Sequence, residues 1–181
     1  MGTLYFKRVT REVESTDFDC GVASINQEIK DSYYPTLTRE ANAFSILYND
    51  VVIGYCAVVF NEVAYDNFPE DLSDNGAGWK VNSITVIHIK YIAVDKQYQH
   101  KGLGTAILRS LIAKARQLGN EWPIRVITMD ARNELVNWYS KENFEKMCAN
   151  PAQQEGVSTA MFIEFNPYDD ELNRFISDFA Y

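Results

Sequence analysis

The feature that most constrains the fold is a strand, a glycine turn and a long helix in direct succession. Residues 83–94 are dense in Ile, Val and Thr, which predicts a buried strand. Gly102 and Gly104 follow, and apolar residues then recur at helical spacing as far as Leu118. Gly119-Asn120 predicts the end of that helix. The succession predicts a helix that starts just after a buried strand, with glycines where the chain turns.

A turn of this kind predicts an anion site. The first N–H groups of a helix have no partner within the helix, and they lie at the positive end of its dipole. Gly102 and Gly104 carry no Cβ that would keep a pyrophosphate away from these donors. Further donors or positive charge come from Lys96, His100, Lys101 and Thr105. By charge alone, a solvated helix face is the alternative interpretation of the basic residues.

The spacing excludes two common nucleotide-binding motifs. A Walker P-loop requires a Lys-Ser or Lys-Thr pair after its glycines, and none follows here. A Rossmann turn requires a third glycine, and Ile107 stands at that position. We therefore expect the anion to bind in a different fold.

The rest of the chain alternates strands and helices, which predicts an α/β or α+β class around a mixed sheet. Helical spacing from Phe18, with an N-cap at Thr16-Asp17, predicts a first helix, and a second stretch after Pro35 extends to about Asn42. Asn49-Asp50 predicts a hairpin turn. The other predicted elements are strands at 4–9, 44–48, 51–60, 124–129, 144–148 and 158–165, a helix at 133–142, a loop at 62–82 and an acidic helical tail at 166–181.

Size and charge narrow the function. A length of 181 residues fits a single domain, 1–181. The chain has 25 Asp or Glu and 17 Lys or Arg, a net charge of −8, which disfavours nucleic acid as a partner. The acid-rich segments 62–80 and 150–181 suit a cationic substrate or serve only as solubility surface.

Metal sites and membrane segments are not expected. Three widely spaced cysteines and two histidines predict no metal centre, and they fit a reducing compartment. Cys56 lies in an apolar run and is expected in the core. No stretch is apolar enough for a membrane span or a signal peptide. A cytoplasmic protein without a membrane partner is expected.

Two segments resemble the GNAT superfamily of N-acyltransferases. The run Gln99-x-x-Gly102-x-Gly104 is similar to the loop with which that family binds the pyrophosphate of acyl-CoA. About thirty residues later, Asn133, Tyr139 and Phe144 match a second family segment, while Val136 and Asn143 replace a small residue and a glycine. Asn is the next best residue after glycine at a left-handed position. The resemblance spans about residues 4–165, is strongest over 88–144, and implies a mostly antiparallel central sheet flanked by helices.

The resemblance implies acetyl-CoA as the cosubstrate and no metal. It implies that Tyr139 protonates the departing thiolate as the general acid. It gives no secure general base. His88 lies on the strand that leads to the site, and Glu62 and Asp130 are further candidates. A chain of water molecules would need no single side chain as the base. The implied acyl-CoA-binding residues are Ile92, Ala93, Val94, Gln99, His100, Lys101, Gly102, Leu103, Gly104, Thr105 and Asn133.

The acceptor is open among several classes. Direct attack by the primary amine of a small molecule or peptide is expected first. Phe18-Asp19-Cys20-Gly21 with Ile25-Asn26 is similar to toxin-type GNATs that acetylate aminoacyl-tRNA, which is the alternative. A non-catalytic acyl-CoA-binding regulator is a third possibility, and the retained Tyr139 counts against it. A homodimer through the aromatic tail is compatible with the sequence.

Overall fold

The structure is a computed structural model that describes residues 4–11, 13, 17–69, 82–148 and 157–165. The predicted acidic tail, and most of the predicted loop at 62–82, lie outside these residues. The strands are β1 (Leu4–Arg8), β2 (Asn42–Tyr48), β3 (Val51–Ala64), β4 (Ser83–Val94), β5 (Val126–Arg132), β6 (Glu145–Lys146) and β7 (Ser158–Glu164). The helices are α1 (Ala23–Lys30), α2 (Tyr33–Leu37), α3 (Leu103–Gly119) and α4 (Val136–Ser140), with short 3-10 turns at Tyr65–Asn67, Lys96–Tyr98 and Asn133–Leu135.

The strands form a seven-stranded sheet in the order β1-β2-β3-β4-β5-β7-β6. Strand β2 pairs antiparallel with β1 and β3, and β7 pairs antiparallel with β5 and β6. This architecture confirms the predicted mixed, mostly antiparallel sheet flanked by helices. No helix among the described residues is long and apolar enough to cross a membrane.

Two compact units divide the chain, and each draws on separate segments. Residues 1–60 and 88–110 form the first unit. Its β2–β3 hairpin closes at Asn49 and Asp50, whose φ angles of 50° and 64° confirm the predicted turn. Its core joins α1 to the sheet, and the Phe18 ring stands edge-on to Tyr55 at 5.0 Å.

The second unit consists of residues 61–87 and 111–181. Strand β5 runs antiparallel to β7 with Val126 opposite Glu164. Phe68, Val86, Val126 and Phe162 form a buried cluster in which the two phenylalanine rings lie 5.3 Å apart, edge to face. The prediction of one domain over the whole chain stays a prediction.

Several predicted element boundaries were wrong. The first helix begins at Ala23, because Asp19 and Cys20 bond to the turn after β4 and Gly21 takes a φ of +86°. The second helix ends at Leu37, since Arg39 adopts a φ of 64°. The predicted helix at 133–142 is a 3-10 turn followed by the short α4. Each correction comes from local backbone conformations that apolar periodicity does not report.

Strand β3 makes a very close approach to β4 at Gly54. A Cβ at this position would lie 2.4 Å from the carbonyl oxygen of Ala93. The Asp95 amide donates to the Ile53 carbonyl at 2.9 Å just beyond it. Because backbone faces backbone, no side-chain movement can make room for a methyl group.

We expect Gly54→Ala to lower the free energy of unfolding by about 2 to 3 kcal/mol, since the strands must separate to admit the methyl group. Urea denaturation measures the change. Val51→Ala, at an exposed position of the same strand, is the control and should cost less than about 1 kcal/mol. Equal losses in the two variants would contradict the close approach.

Candidate active site

The last residues of β4 alternate between the core and a half-buried side. Tyr91 and Ala93 are buried, while Ile92 and Val94 are half-buried. His88, earlier on the strand, is also half-buried. An extended strand with a half-buried face can offer its backbone and side chains to a bound molecule.

The turn after β4 is shaped by Asp95. Its side chain accepts a hydrogen bond from the Gln97 amide at 2.9 Å, which caps the 3-10 turn that follows. His100 and Gly102 then both adopt left-handed backbone, with φ angles of 59° and 79°. The sequence predicts the glycine but gives only a weak signal for His100, a residue type enriched in this conformation.

Gly102 opens the turn at the start of α3. A Cβ there would meet no atom within 4 Å, so the space beside it is open. The first helical bond runs from the Ala106 amide to the Gly102 carbonyl at 3.1 Å. The amides of Leu103 and Gly104 therefore have no acceptor within the helix. An open glycine beside such donors is a cradle that fits a phosphate group.

Two of the three predicted basic side chains have partners within the first unit. Lys96 Nζ lies 2.6 Å from Asp19 Oδ2. Lys101 Nζ donates to the Gln97 carbonyl at 2.8 Å and lies 5.4 Å from the centre of the Tyr98 ring. His100 is exposed. The cations therefore also build the turn, and the backbone supplies donors independently of them.

Tyr139, in the second unit, is buried between aromatic rings. Its ring centre lies 4.5 Å from Trp138 and 5.7 Å from Phe144. Within the described residues its hydroxyl makes no hydrogen bond to a neighbour. Burial raises the pKa of Tyr139 well above its usual range. The hydroxyl therefore keeps its proton at neutral pH.

Asn133 and Asn143 flank Tyr139 in the sequence and have different roles. Asn133 is exposed, and the Thr159 hydroxyl donates to its Oδ1 at 2.9 Å, which fixes the orientation of the amide. Asn143 has a φ of 67°, which confirms the left-handed position at which it replaces glycine. The next residue, Phe144, is buried.

The candidate bases differ in their surroundings. Glu62 and Asp130 are exposed, and the Ser83 hydroxyl donates to the Glu62 carboxylate. Among the described residues, no group of three or more metal-ligating side chains exists. Cys56 is fully buried as predicted, and burial raises the pKa of its thiol to about 12.

Residues 10–145 match the Acetyltransferase (GNAT) family. The chain belongs to this family. It is therefore an acyltransferase, and the predictions of family, fold and enzyme class are confirmed. The match contains the turn, Asn133 and Tyr139 together.

Solved structures similar in fold to this GNAT enzyme include bacterial toxins. One, a bacterial toxin, has a TM-score of 0.75 and 17% identity, with 96% of this chain and 97% of the other covered. AtaT complexed with acetyl-methionyl-tRNAfMet has a TM-score of 0.73 and 15% identity, with 96% and 99% covered. AtaTR bound with AcCoA has a TM-score of 0.71 and 16% identity, with 96% and 98% covered. Comparison with curated protein sequences gives no match.

Sequence reasoning missed the contribution of Asp19, Asp95 and the Gln99 side chain to this GNAT turn. The Gln99 side-chain amide donates to the carbonyls of Cys20 and Val94, each at 2.9 Å. The expectation that Gln99 binds acyl-CoA concerns its backbone N–H and stays a prediction. The only sequence signal was the motif at 18–26, whose partners lie more than seventy positions away.

Proposed function

We propose that the protein transfers an acetyl group from acetyl-CoA to the α-amino group of an aminoacyl-tRNA. The observation that carries the donor half is the left-handed, open Gly102 at the start of α3. In a member of the GNAT family, this turn is the expected place for the donor pyrophosphate. The acceptor half is supported by the cost of deprotonating the amine, by the charge along the chain and by a structural relative.

The donor would be held mainly by backbone. The amides from Gln99 to Thr105 would surround the pyrophosphate, and Ile92, Ala93 and Val94 would pair with the pantetheine arm through their main chain. Asn133 would donate to the same molecule, with its amide oriented by Thr159. Bound acetyl-CoA supplies a thioester whose carbonyl carbon is open to attack by an amine.

Tyr139 would act as the general acid. Its hydroxyl donates a proton to the sulfur, which leaves with the electron pair of the broken carbon–sulfur bond. A buried tyrosine is a weak acid, but loss of solvent also makes a thiolate more basic. Because both pKa values rise, the proton transfer stays close to the difference between the solution values of about 10 and 8.5.

The acceptor must lose a proton before it attacks. A lysine-like amine, with a pKa near 10.4, costs about 4.6 kcal/mol to deprotonate at pH 7, whereas an α-amine near 7.8 costs about 1 kcal/mol. Of the candidate bases, His88 is half-buried and Glu62 and Asp130 are exposed. We propose His88 as the base, and a modest base of this kind suits an α-amine.

The acidic net charge does not oppose an RNA partner, because the charges are distributed unevenly along the chain. The chain as a whole has a net charge of −8, but residues 90–116, which include the turn, hold six bases and one acid. AtaT, similar to this chain over 96% of its length, was captured with acetyl-methionyl-tRNAfMet.

The second candidate acceptor is a cationic small molecule or peptide amine. The acids concentrated in 62–80 and 150–181 favour it, because they would raise the local concentration of a cation. The two candidates differ in their response to salt and in the size of the product.

We expect Gly104→Glu to abolish acetyl-CoA binding, because a carboxylate would stand against the pyrophosphate. Titration calorimetry with acetyl-CoA measures the loss. Ala113→Glu adds the same charge at an exposed position of α3 and should bind normally. Normal affinity in Gly104→Glu would refute the assignment of the turn.

We expect Tyr139→Phe to lower kcat by about 100-fold or more with little change in acetyl-CoA affinity, since a leaving-group acid acts in the transition state. The unfolding free energy should hold, because the hydroxyl has no hydrogen-bond partner among the described residues. Tyr91→Phe removes a buried hydroxyl that has no hydrogen-bond partner among the described residues and should keep full turnover. Equal kcat in both variants would make Tyr139 structural.

Release of CoA should be measured against charged tRNAs, free amino acids, peptides and polyamines. We expect turnover on charged tRNA, lost in Tyr139→Phe, with a rate constant kcat/KM that falls steeply with salt as phosphate contacts weaken. Turnover on polyamines or peptides alone would select the second candidate. Uncharged tRNA is the control and should release no CoA.

A further inference from the structure

The segment before α1 is bound to the turn after β4 by exchanged backbone contacts. The Asp19 amide donates to Asp95 Oδ2 at 3.1 Å. In return, the Lys96 amide donates to the Asp19 carbonyl at 2.9 Å. Asp19 thus bonds to Asp95 and Lys96, which lie 76 and 77 positions away along the chain. The turn is fixed by a segment that lies outside the strand and helix it connects.

The Asp19 carboxylate organises this contact. Its Oδ1 accepts from the Gly21 amide at 2.7 Å and from Asn26 Nδ2 at 2.8 Å, and its Oδ2 lies 2.6 Å from Lys96 Nζ. Lys96 contributes most, then Asn26 and Gly21, to lowering the pKa of Asp19 to about 2. The carboxylate therefore stays ionised at any pH used for an assay, and both of its oxygens are occupied.

Gln99 and Asn26 complete the contact from the two sides. The Gln99 side-chain nitrogen donates to the Cys20 and Val94 carbonyls, so it joins the early segment to the end of β4. The Cys20 amide donates to Asn26 Oδ1 at 3.0 Å, which fixes this segment to α1. At Gly21 a Cβ would already lie 3.0 Å from Lys96 Cε, so the two segments are closely packed.

We propose that Asp19, Asn26 and Gln99 form a latch that holds the turn at 95–102 in its anion-binding conformation. Asp19 and Gln99 are then positioning residues for donor binding, a role that rests on the proposed function of the turn. The latch itself is a property of the first unit alone. It gives a structural role to a carboxylate at 19 and a glycine at 21, just before α1, and to an amide at 26, within α1.

The latch is tested first without any ligand. Hydrogen exchange of the amides at 96–101 is measured in Asp19→Asn and in Gln99→Met, which keeps the side-chain length but removes the donors. We expect faster exchange in both variants, because the turn opens more often. Asp31→Asn is the control: Asp31 also accepts from a side-chain amide, that of Gln27, but has no contact with the turn. Unchanged exchange in both latch variants would overturn the latch.

The effect on donor binding is measured by titration calorimetry with CoA. We expect the affinity to fall about five-fold in Asp19→Asn, at the lower end of couplings between linked sites, and to hold in Asp31→Asn. Faster exchange with unchanged CoA affinity would overturn the positioning role while the proposed function stands. Failure of the unsubstituted protein to bind CoA would refute the proposed function and the positioning role, and exchange would still decide the latch.

Discussion

The end of strand β4 is fixed from three sides, and the candidate site depends on it. The Ala93 carbonyl abuts Gly54, the Val94 carbonyl accepts from Gln99, and the Asp95 amide donates to Ile53. Because each of these groups is backbone, the strand cannot shift or rotate without breaking a contact. The turn therefore starts from a defined position. This position sets the place of Gly102, which has no side chain that could anchor it.

This arrangement divides the work at the turn between backbone and side chains. Lys96 bonds to Asp19 and Lys101 bonds to the Gln97 carbonyl, so both side chains stabilise the loop. The main-chain amides at the helix start are further donors, and their direction is set by the fold. Anion binding at such a site depends more on the backbone conformation of the turn than on particular cations. A change in that conformation would therefore weaken binding most.

The local sequence predicted the elements that carry their own signals. Strand β4, helix α3, the Asn49-Asp50 turn and the left-handed Asn143 all follow from residue types within a few positions. The start of α1 could not be predicted, because Asp19 is held out of a helix by Asp95 and Lys96, far along the chain. For the same reason, the motif at 99–104 predicts the turn but not the two carbonyls that the Gln99 side chain reaches.

Net charge says less about a partner than the charge near the site does, and the reason is physical. In physiological salt a charge acts over a Debye length of about 8 Å. A net charge of −8 for the whole chain therefore does not give the electrostatic potential at one part of its surface. Residues 90–116, which include the turn, hold six bases and one acid although the whole chain is acidic. Whether a phosphate backbone or a cation approaches is decided by charges within that distance of the reacting amine.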